Sequence, residues 1–274
     1  MTEPLLAIDD LVTEYPARKR RQKPFRVLHG VSLDVGPGET VGLVGESGSG
    51  KTTLGRAVLG LAPVTSGTVR FEGQDISRLS VRERRRVAHR MQVIFQDPYT
   101  SLNPALTVGD TLAEPLLAQG RERTAVHRRI AELLDRVQLP HDAAARLPRE
   151  FSGGQRQRVA VARALALEPR LIVCDEPVSA LDLPTQARIL DLLLEIQETT
   201  GVAYLFVSHD LAVVRHISHR VAVMYHGGLV EIGDAEQVTG EPRDPYTKRL
   251  LTASPVPDPA GQRRRREERR LLGG

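Results

Sequence analysis

The sequence predicts an α/β fold built on a parallel sheet, with a mainly helical segment inserted into it. Three observations carry this prediction. Continuous apolar runs ending in glycine or in polar residues have the character of buried parallel strands: TVGLVG at residues 40–45, LIVCDE at 171–176 and AYLFVSHD at 203–210. The first run leads into a glycine-rich turn and then the helical pattern TTLGRAVLGL, a strand–loop–helix sequence. From Gln96 to about Leu167, helical stretches such as AVHRRIAELLDRVQL are separated by prolines and carry no strong strand signal.

Taken in order, the opening segment alternates apolar and polar residues. It then passes through PARKRRQKPF (16–25), a basic, proline-bracketed stretch expected to be a loop between two early strands. The strand at 40–45 begins the parallel sheet, and the helical insertion falls at about 97–167. The strands at 171–176 and 203–210 return to the sheet and end in carboxylates and in Ser-His-Asp, the strand ends where open α/β sheets bind ligands. The expected organisation is one domain over residues 1–254, followed by a basic, proline-containing, disordered tail over 255–274.

Bulk composition narrows the function. At 274 residues and 41% hydrophobic, the chain suffices for one large domain with a sizeable core. No apolar run approaches the roughly 18 residues that a membrane span needs, and MTEPLLAIDD lacks the basic start and apolar core of a signal peptide, so a cytosolic or membrane-face location is expected. A single cysteine, Cys174, excludes an internal disulfide framework and a cysteine-based metal cluster. The net charge of +4 resides in RRRREERR (263–270), whose six Arg and two Glu account for all of it. With 4% aromatics and no Trp, single-strand stacking platforms are not evident, and nucleic acid is not the expected partner.

The chemistry begins at GESGSGKT, residues 45–52, which fits G-x-x-x-x-G-K-[ST] in its required place between a strand and a helix. Gly45, Gly48 and Gly50 let the backbone curl so that the N–H groups of Glu46, Ser47, Ser49 and their neighbours point inward, and the helix from Lys51 through Thr52 and Thr53 adds its positive end. Lys51 is placed to reach β- and γ-phosphates, and the Thr52 hydroxyl to meet a magnesium ion. Such a loop says only nucleotide. In LIVCDEP, Asp175 suits the magnesium shell, and Glu176 projects further, toward the γ-phosphate, where a carboxylate can orient and deprotonate water. His209 in VSHD suits a γ-phosphate sensor. The Gln96 amide in VIFQDP, donor and acceptor at once, suits magnesium or water.

One stretch, FSGGQ at 151–155, is incomplete as a nucleotide site by itself and, taken alone, reads as a helix N-cap. Phosphate loop, Gln96, FSGGQ, LIVCDE, SALD (179–182) and His209 occur in the order and approximate spacing of the ATP-binding-cassette (ABC) ATPases, which the chain resembles over roughly residues 5–252. The resemblance implies a P-loop NTPase fold: a RecA-like parallel core, an N-terminal antiparallel β subdomain and an inserted α-helical subdomain. It implies ATP and Mg²⁺ as ligands, with Lys51, Gln96, Glu176 and His209 as catalytic residues and Thr52, Gln96 and Asp175 around the metal. Ser152, Gly153, Gly154 and Gln155 would then open a helix facing the γ-phosphate held by a second subunit, a helix N-terminus presented to an anion as in the phosphate loop itself. Asp182 would join them at the nucleotide, and Tyr15 would stack on adenine.

Phe151, where the family usually has Leu, together with VIFQDPYTSLNP (93–104), DEPVSALD (175–182), SHDLAVVRHI (208–217) and DPYTKRLL (244–251), resembles the oligopeptide and dipeptide (nickel) importer branch, most of all the second ATPase of dipeptide-type permeases. The implied partners are two transmembrane permease subunits, a paralogous ABC ATPase or a second copy of this chain, and indirectly an extracytoplasmic solute-binding protein. The implied location is the cytoplasmic face of the membrane. Such members usually continue past DPYT into a cysteine-containing region, which is not present before Gly274, so no iron–sulfur cluster is assigned. The alternative is a non-transport ABC ATPase such as a phosphonate-breakdown component.

Overall fold

The structure is a computed structural model and describes residues 3–16, 24–97 and 101–253. Most of the expected basic loop (17–23), residues 98–100 of the VIFQDPYTSLNP stretch and the expected tail (254–274) lie outside the described residues. In chain order the elements are β1 (Leu6–Tyr15), β2 (Phe25–Val35), β3 (Thr40–Val44), α1 (Lys51–Val58), β4 (Ser66–Phe71), β5 (Gln74–Asp75), α2 (Val81–Ala88) and β6 (Met91–Ile94). There follow α3 (Val108–Ala118), α4 (Arg123–Arg136), α5 (Gly153–Leu165), β7 (Leu171–Asp175), α6 (Leu183–Thr200) and β8 (Ala203–Val207). The last elements are α7 (Leu211–Ile217), β9 (Arg220–Tyr225), β10 (Gly228–Asp234), α8 (Ala235–Gly240) and α9 (Pro245–Ala253). Among the described residues, no helix is long and apolar enough to cross a membrane.

The described residues form two compact units, one drawn from within 1–78 and 205–253, the other from within 79–204. In the first, β1 pairs antiparallel with both β2 and β4, and β4 with β5, giving the antiparallel sheet order β2-β1-β4-β5. The same unit holds β3, parallel to β9, which is antiparallel to β10. β3 is buried along its whole length, as its unbroken apolar run requires. A Cβ added at Gly42 would meet Val214 Cγ1 at 2.0 Å, so this glycine lets α7 lie directly on the strand. Val44 continues into a core with Leu211, Val214, Val221, Val223, Ala235, Val238 and Tyr246.

In the second unit β6 and β7 pair in parallel, from Met91 opposite Leu171 to Ile94 opposite Cys174. The described elements between them are helical. α3 starts on Thr107, whose hydroxyl accepts from Asp110 N at 3.0 Å, and α4 buries Val126, Ile130, Leu133 and Leu134, the spacing of one apolar helix face. α5 buries Val159, Ala160, Val161, Ala162, Ala164 and Leu165, small and branched residues that allow close packing. Of β8, residues 203–204 belong to the second unit and 205–207 to the first.

Candidate functional site

In the first unit the phosphate loop leaves the end of β3 in a conformation that its glycines make available. Gly45 has φ 153° and Gly50, the residue before α1, has φ 107°. A Cβ at Gly45 would lie 2.2 Å from the Met224 carbonyl oxygen, and one at Gly50 2.9 Å from Leu28 Cδ2, so both conformation and space demand glycine. Glu46, Ser47 and Gly48 form an exposed crest, whereas Ser49, Gly50 and Lys51 are buried. Lys51 Nζ donates to the carbonyls of Gly45 (2.7 Å) and Glu46 (2.9 Å), holding its ammonium inside the loop. α1 has no side-chain cap and no acidic residue in its first turn, which leaves its positive end to the loop. Ser49 Oγ is buried with no hydrogen-bond partner among the described residues. An orphaned hydroxyl, a buried ammonium and an uncapped helix end fit a bound phosphate group.

Thr52 and Thr53 stand half-buried on the first turn of α1. Tyr15 is half-buried at the end of β1, opposite Phe25 in the register with β2. His209 is exposed just beyond β8, where Ser208 N donates to the Leu43 carbonyl at 3.1 Å, two residues before Gly45. Asp210 then starts α7, accepting from Ala212 N at 2.8 Å.

The second unit carries the remaining predicted residues. Gln96 Nε2 donates to Glu176 Oε2 at 3.2 Å, so two residues separated by 80 positions meet at the ends of the neighbouring strands β6 and β7. Asp175 ends β7, and Glu176 turns away from it with φ 49°, a left-handed conformation that a non-glycine residue adopts only at a cost. The turn is pinned by Ser179, whose N and Oγ both donate to the Glu176 carbonyl, at 3.3 and 3.1 Å. Burial, reinforced by the adjacent Asp175, pushes the Cys174 thiol far above its ordinary pKa, so this sulfur takes no part as a nucleophile.

FSGGQ builds a helix start. Phe151 is buried and anchors the segment, and Ser152 caps α5, accepting from Gln155 N at 3.3 Å while Gln155 Oε1 accepts from Ser152 N at 3.0 Å. Gly153 and Gly154 are half-buried. A Cβ at Gly154 would come within 2.5 Å of Thr185 Cγ2. Thr185 in turn donates from N to Asp182 Oδ1 (3.0 Å) and from Oγ1 to Asp182 Oδ2 (2.9 Å). The signature helix and the helix capped by Asp182 therefore touch at their N-terminal ends. Those two bonds from Thr185, backbone first, hold the Asp182 carboxyl below its ordinary pKa.

Three features of these sites were not anticipated: the left-handed Glu176, the contact of Thr185 with Gly154, and Tyr246, whose hydroxyl accepts from Glu46 N at 3.1 Å, so that this amide, like that of Ser49 on the Glu46 carbonyl at 3.2 Å, is bonded within the protein and not offered to the anion as expected. For the last, the available signal was the DPYT stretch itself.

A family model described as ABC transporter matches residues 28–179. The chain belongs to the ABC transporter family. Among curated ABC relatives, the oligopeptide transport ATP-binding protein OppD of Mycobacterium tuberculosis is 54% identical over 235 residues, covering 86% of this chain and 38% of OppD. The glutathione import ATP-binding protein GsiA of Pectobacterium atrosepticum is 50% identical over 271 residues, covering 97% of this chain and 43% of GsiA. The chain thus spans about two fifths of the length of these relatives. A Brucella ovis protein named for peptide import ATP binding is 50% identical over 276 residues, covering 100% of this chain and 85% of itself. Among solved structures, the dimeric ATP-binding cassette MJ0796 bound to ADP and Pi superposes with a TM-score of 0.75 at 29% identity, covering 84% of this chain and 98% of that one. The expected fold, a mixed α/β ABC ATPase with parallel strands, an antiparallel sheet and added helices, is the fold observed.

Proposed function

We propose that this ABC family member is an ATP-hydrolysing subunit of an importer for dipeptides or oligopeptides, acting at the cytoplasmic face of the membrane through two permease subunits. The observation that carries the ATPase reading is the phosphate loop, with Lys51 Nζ on two loop carbonyls and an orphaned, buried Ser49 hydroxyl. The names of OppD and GsiA support import, and favour it over the phosphonate alternative.

The residues divide the work by their chemistry. Loop amides other than those of Glu46 and Ser49, which are bonded to Tyr246 and to the Glu46 carbonyl, receive the triphosphate together with the α1 dipole, and Lys51 follows the charge that builds on the transferring phosphoryl group. Mg²⁺ would be held by the Thr52 hydroxyl, Asp175, Gln96 and nucleotide oxygens, the hard oxygen donors that this ion takes. When bound, Mg²⁺ neutralises phosphate charge. Glu176 accepts the proton of the attacking water, with Gln96 Nε2 at 3.2 Å orienting its carboxylate. His209 hydrogen-bonds the γ-phosphate, and Tyr15 stacks on the adenine.

Ser152, Gly153, Gly154 and Gln155, with Asp182, serve the nucleotide of an opposing ATPase, a paralogue or a second copy. Closure on ATP and opening after loss of the γ-phosphate then drive the permease, which the helical segment following Gln96 would contact. An extracytoplasmic binding protein would deliver solute without touching this chain. Steady-state release of inorganic phosphate from Mg-ATP tests the proposal. The wild-type chain is expected to turn over and Lys51→Ala to be inactive; equal rates in the two would refute it.

A further inference from the structure

We infer that Tyr246 is a positioning residue for the phosphate loop, fixing the peptide between Gly45 and Glu46 so that Lys51 stays aligned; the inference rests on the nucleotide reading above. The Tyr246 hydroxyl accepts the Glu46 N–H at 3.1 Å, joining positions 200 residues apart in the sequence. From the other side, the Glu46 carbonyl accepts from Ser49 N at 3.2 Å and from Lys51 Nζ at 2.9 Å. The Gly45 carbonyl, on the same peptide as the anchored N–H, accepts from Lys51 Nζ at 2.7 Å. One peptide unit thus carries both the Tyr246 anchor and the catalytic ammonium. The Glu46 side chain is exposed, so the anchor acts on the backbone, where the loop's direction is set.

The anchor is itself held firmly. Tyr246 is only 6% exposed, lies with its ring centroid 4.1 Å from that of Tyr225, and packs in the core that contains Val44, the residue before Gly45. Asp244 Oδ1 accepts from Tyr246 N at 2.7 Å and from Thr247 N at 3.4 Å, starting α9. Glu231 then fixes the preceding turn, its carboxylate accepting from Arg243 N at 2.8 Å and Asp244 N at 3.1 Å. Within the D-P-Y segment, Asp244 caps α9, Pro245 opens the helix, and Tyr246 delivers a buried hydroxyl to the loop. Burial raises the phenol pKa further above its ordinary value.

The inference is tested by titrating the full chain with a fluorescent N-methylanthraniloyl ATP, alongside Mg-ATP hydrolysis. Tyr246→Phe keeps the ring and removes the bond. It is expected to weaken nucleotide affinity and raise KM by roughly fivefold, the effect of one ordinary hydrogen bond, with kcat close to wild type and the melting temperature lowered by no more than about 4 °C. Tyr225→Phe, in the same core without that bond, is expected to stay within about twofold of wild-type affinity. Wild-type binding with unchanged affinity in Tyr246→Phe would overturn the inference alone; no binding by the wild-type chain would overturn the nucleotide reading and this inference with it. Amide exchange in the wild-type chain supplies a check independent of any variant. The Glu46 N–H is expected to be protected like the amides of β3, and rapid exchange would contradict the anchor.

Discussion

Gly154→Ala is the sharpest test of how the signature helix is built. The added methyl would stand 2.5 Å from Thr185 Cγ2, about 1 Å inside ordinary carbon contact. Gly154 lies in α5 and is not among the residues with positive φ, so the backbone accepts alanine and gains about 1 kcal/mol of helix propensity. The clash opposes this. Thr185 is β-branched, and turning it aside breaks the Oγ1 bond to Asp182 at 2.9 Å, so overpacking should cost about 2 to 3 kcal/mol, for a net loss of about 1 to 2 kcal/mol. Thr185→Ser removes the offending methyl and keeps the hydroxyl. The double variant is therefore expected to recover stability, with a coupling of about 2 to 3 kcal/mol, the size of the clash itself, in urea titrations followed by circular dichroism. ATP hydrolysis should fall in Gly154→Ala and return in the double variant. Additive stabilities, or activity that Thr185→Ser does not restore, would refute the claim that these two helix ends are packed as one piece.

Glu176→Gln is expected to retain nucleotide binding and lose turnover by at least about 100-fold, measured by phosphate release under saturating ATP; wild-type turnover would remove Glu176 as the base. Gly45→Ala faces both a φ of 153° and the Met224 carbonyl at 2.2 Å, so it should abolish nucleotide binding, and a variant that folds and binds normally would contradict the loop geometry. Asp182 supplies a pH test. Its folded pKa lies below its ordinary 3.8, so its bonds to Thr185 stabilise the fold above that value and are lost as pH falls through the depressed pKa. The melting-temperature difference between wild type and Asp182→Ala should accordingly be full at neutral pH and shrink below about pH 4. A difference that persists unchanged in strong acid would exclude the carboxylate as its source.

What could be read from the sequence was what is local. The strands β3, β7 and β8 are continuous apolar runs, and the phosphate loop is a contiguous motif whose glycines have one conformational purpose, so pattern alone located them. The helical character of residues 108–165 followed from periodicity in the same way. β4, β9 and β10 were not singled out, although at 6, 6 and 7 residues they are longer than the 5-residue β3, β7 and β8, because none of them leads into a nucleotide motif. The features hardest to foresee join distant positions. No periodicity connects Tyr246 to Glu46, nor Gly154 to Thr185, and the left-handed turn at Glu176 belongs to a residue type that seldom adopts one. Ser152 shows a further limit: its capping of α5 was legible, whereas its service to an opposing nucleotide depends on the family pattern.

The central claim is that each ATP is held by the phosphate loop of one molecule and the Ser152 helix of another. Mixing a Lys51→Ala chain with a Ser152→Arg chain measures this directly. Neither variant should hydrolyse ATP alone, while equal parts together should regain about a quarter of the wild-type sites by random pairing, because each mixed pair keeps one intact loop facing one intact helix. Substantial activity in either variant by itself, or a mixture as silent as its components, would contradict the shared site.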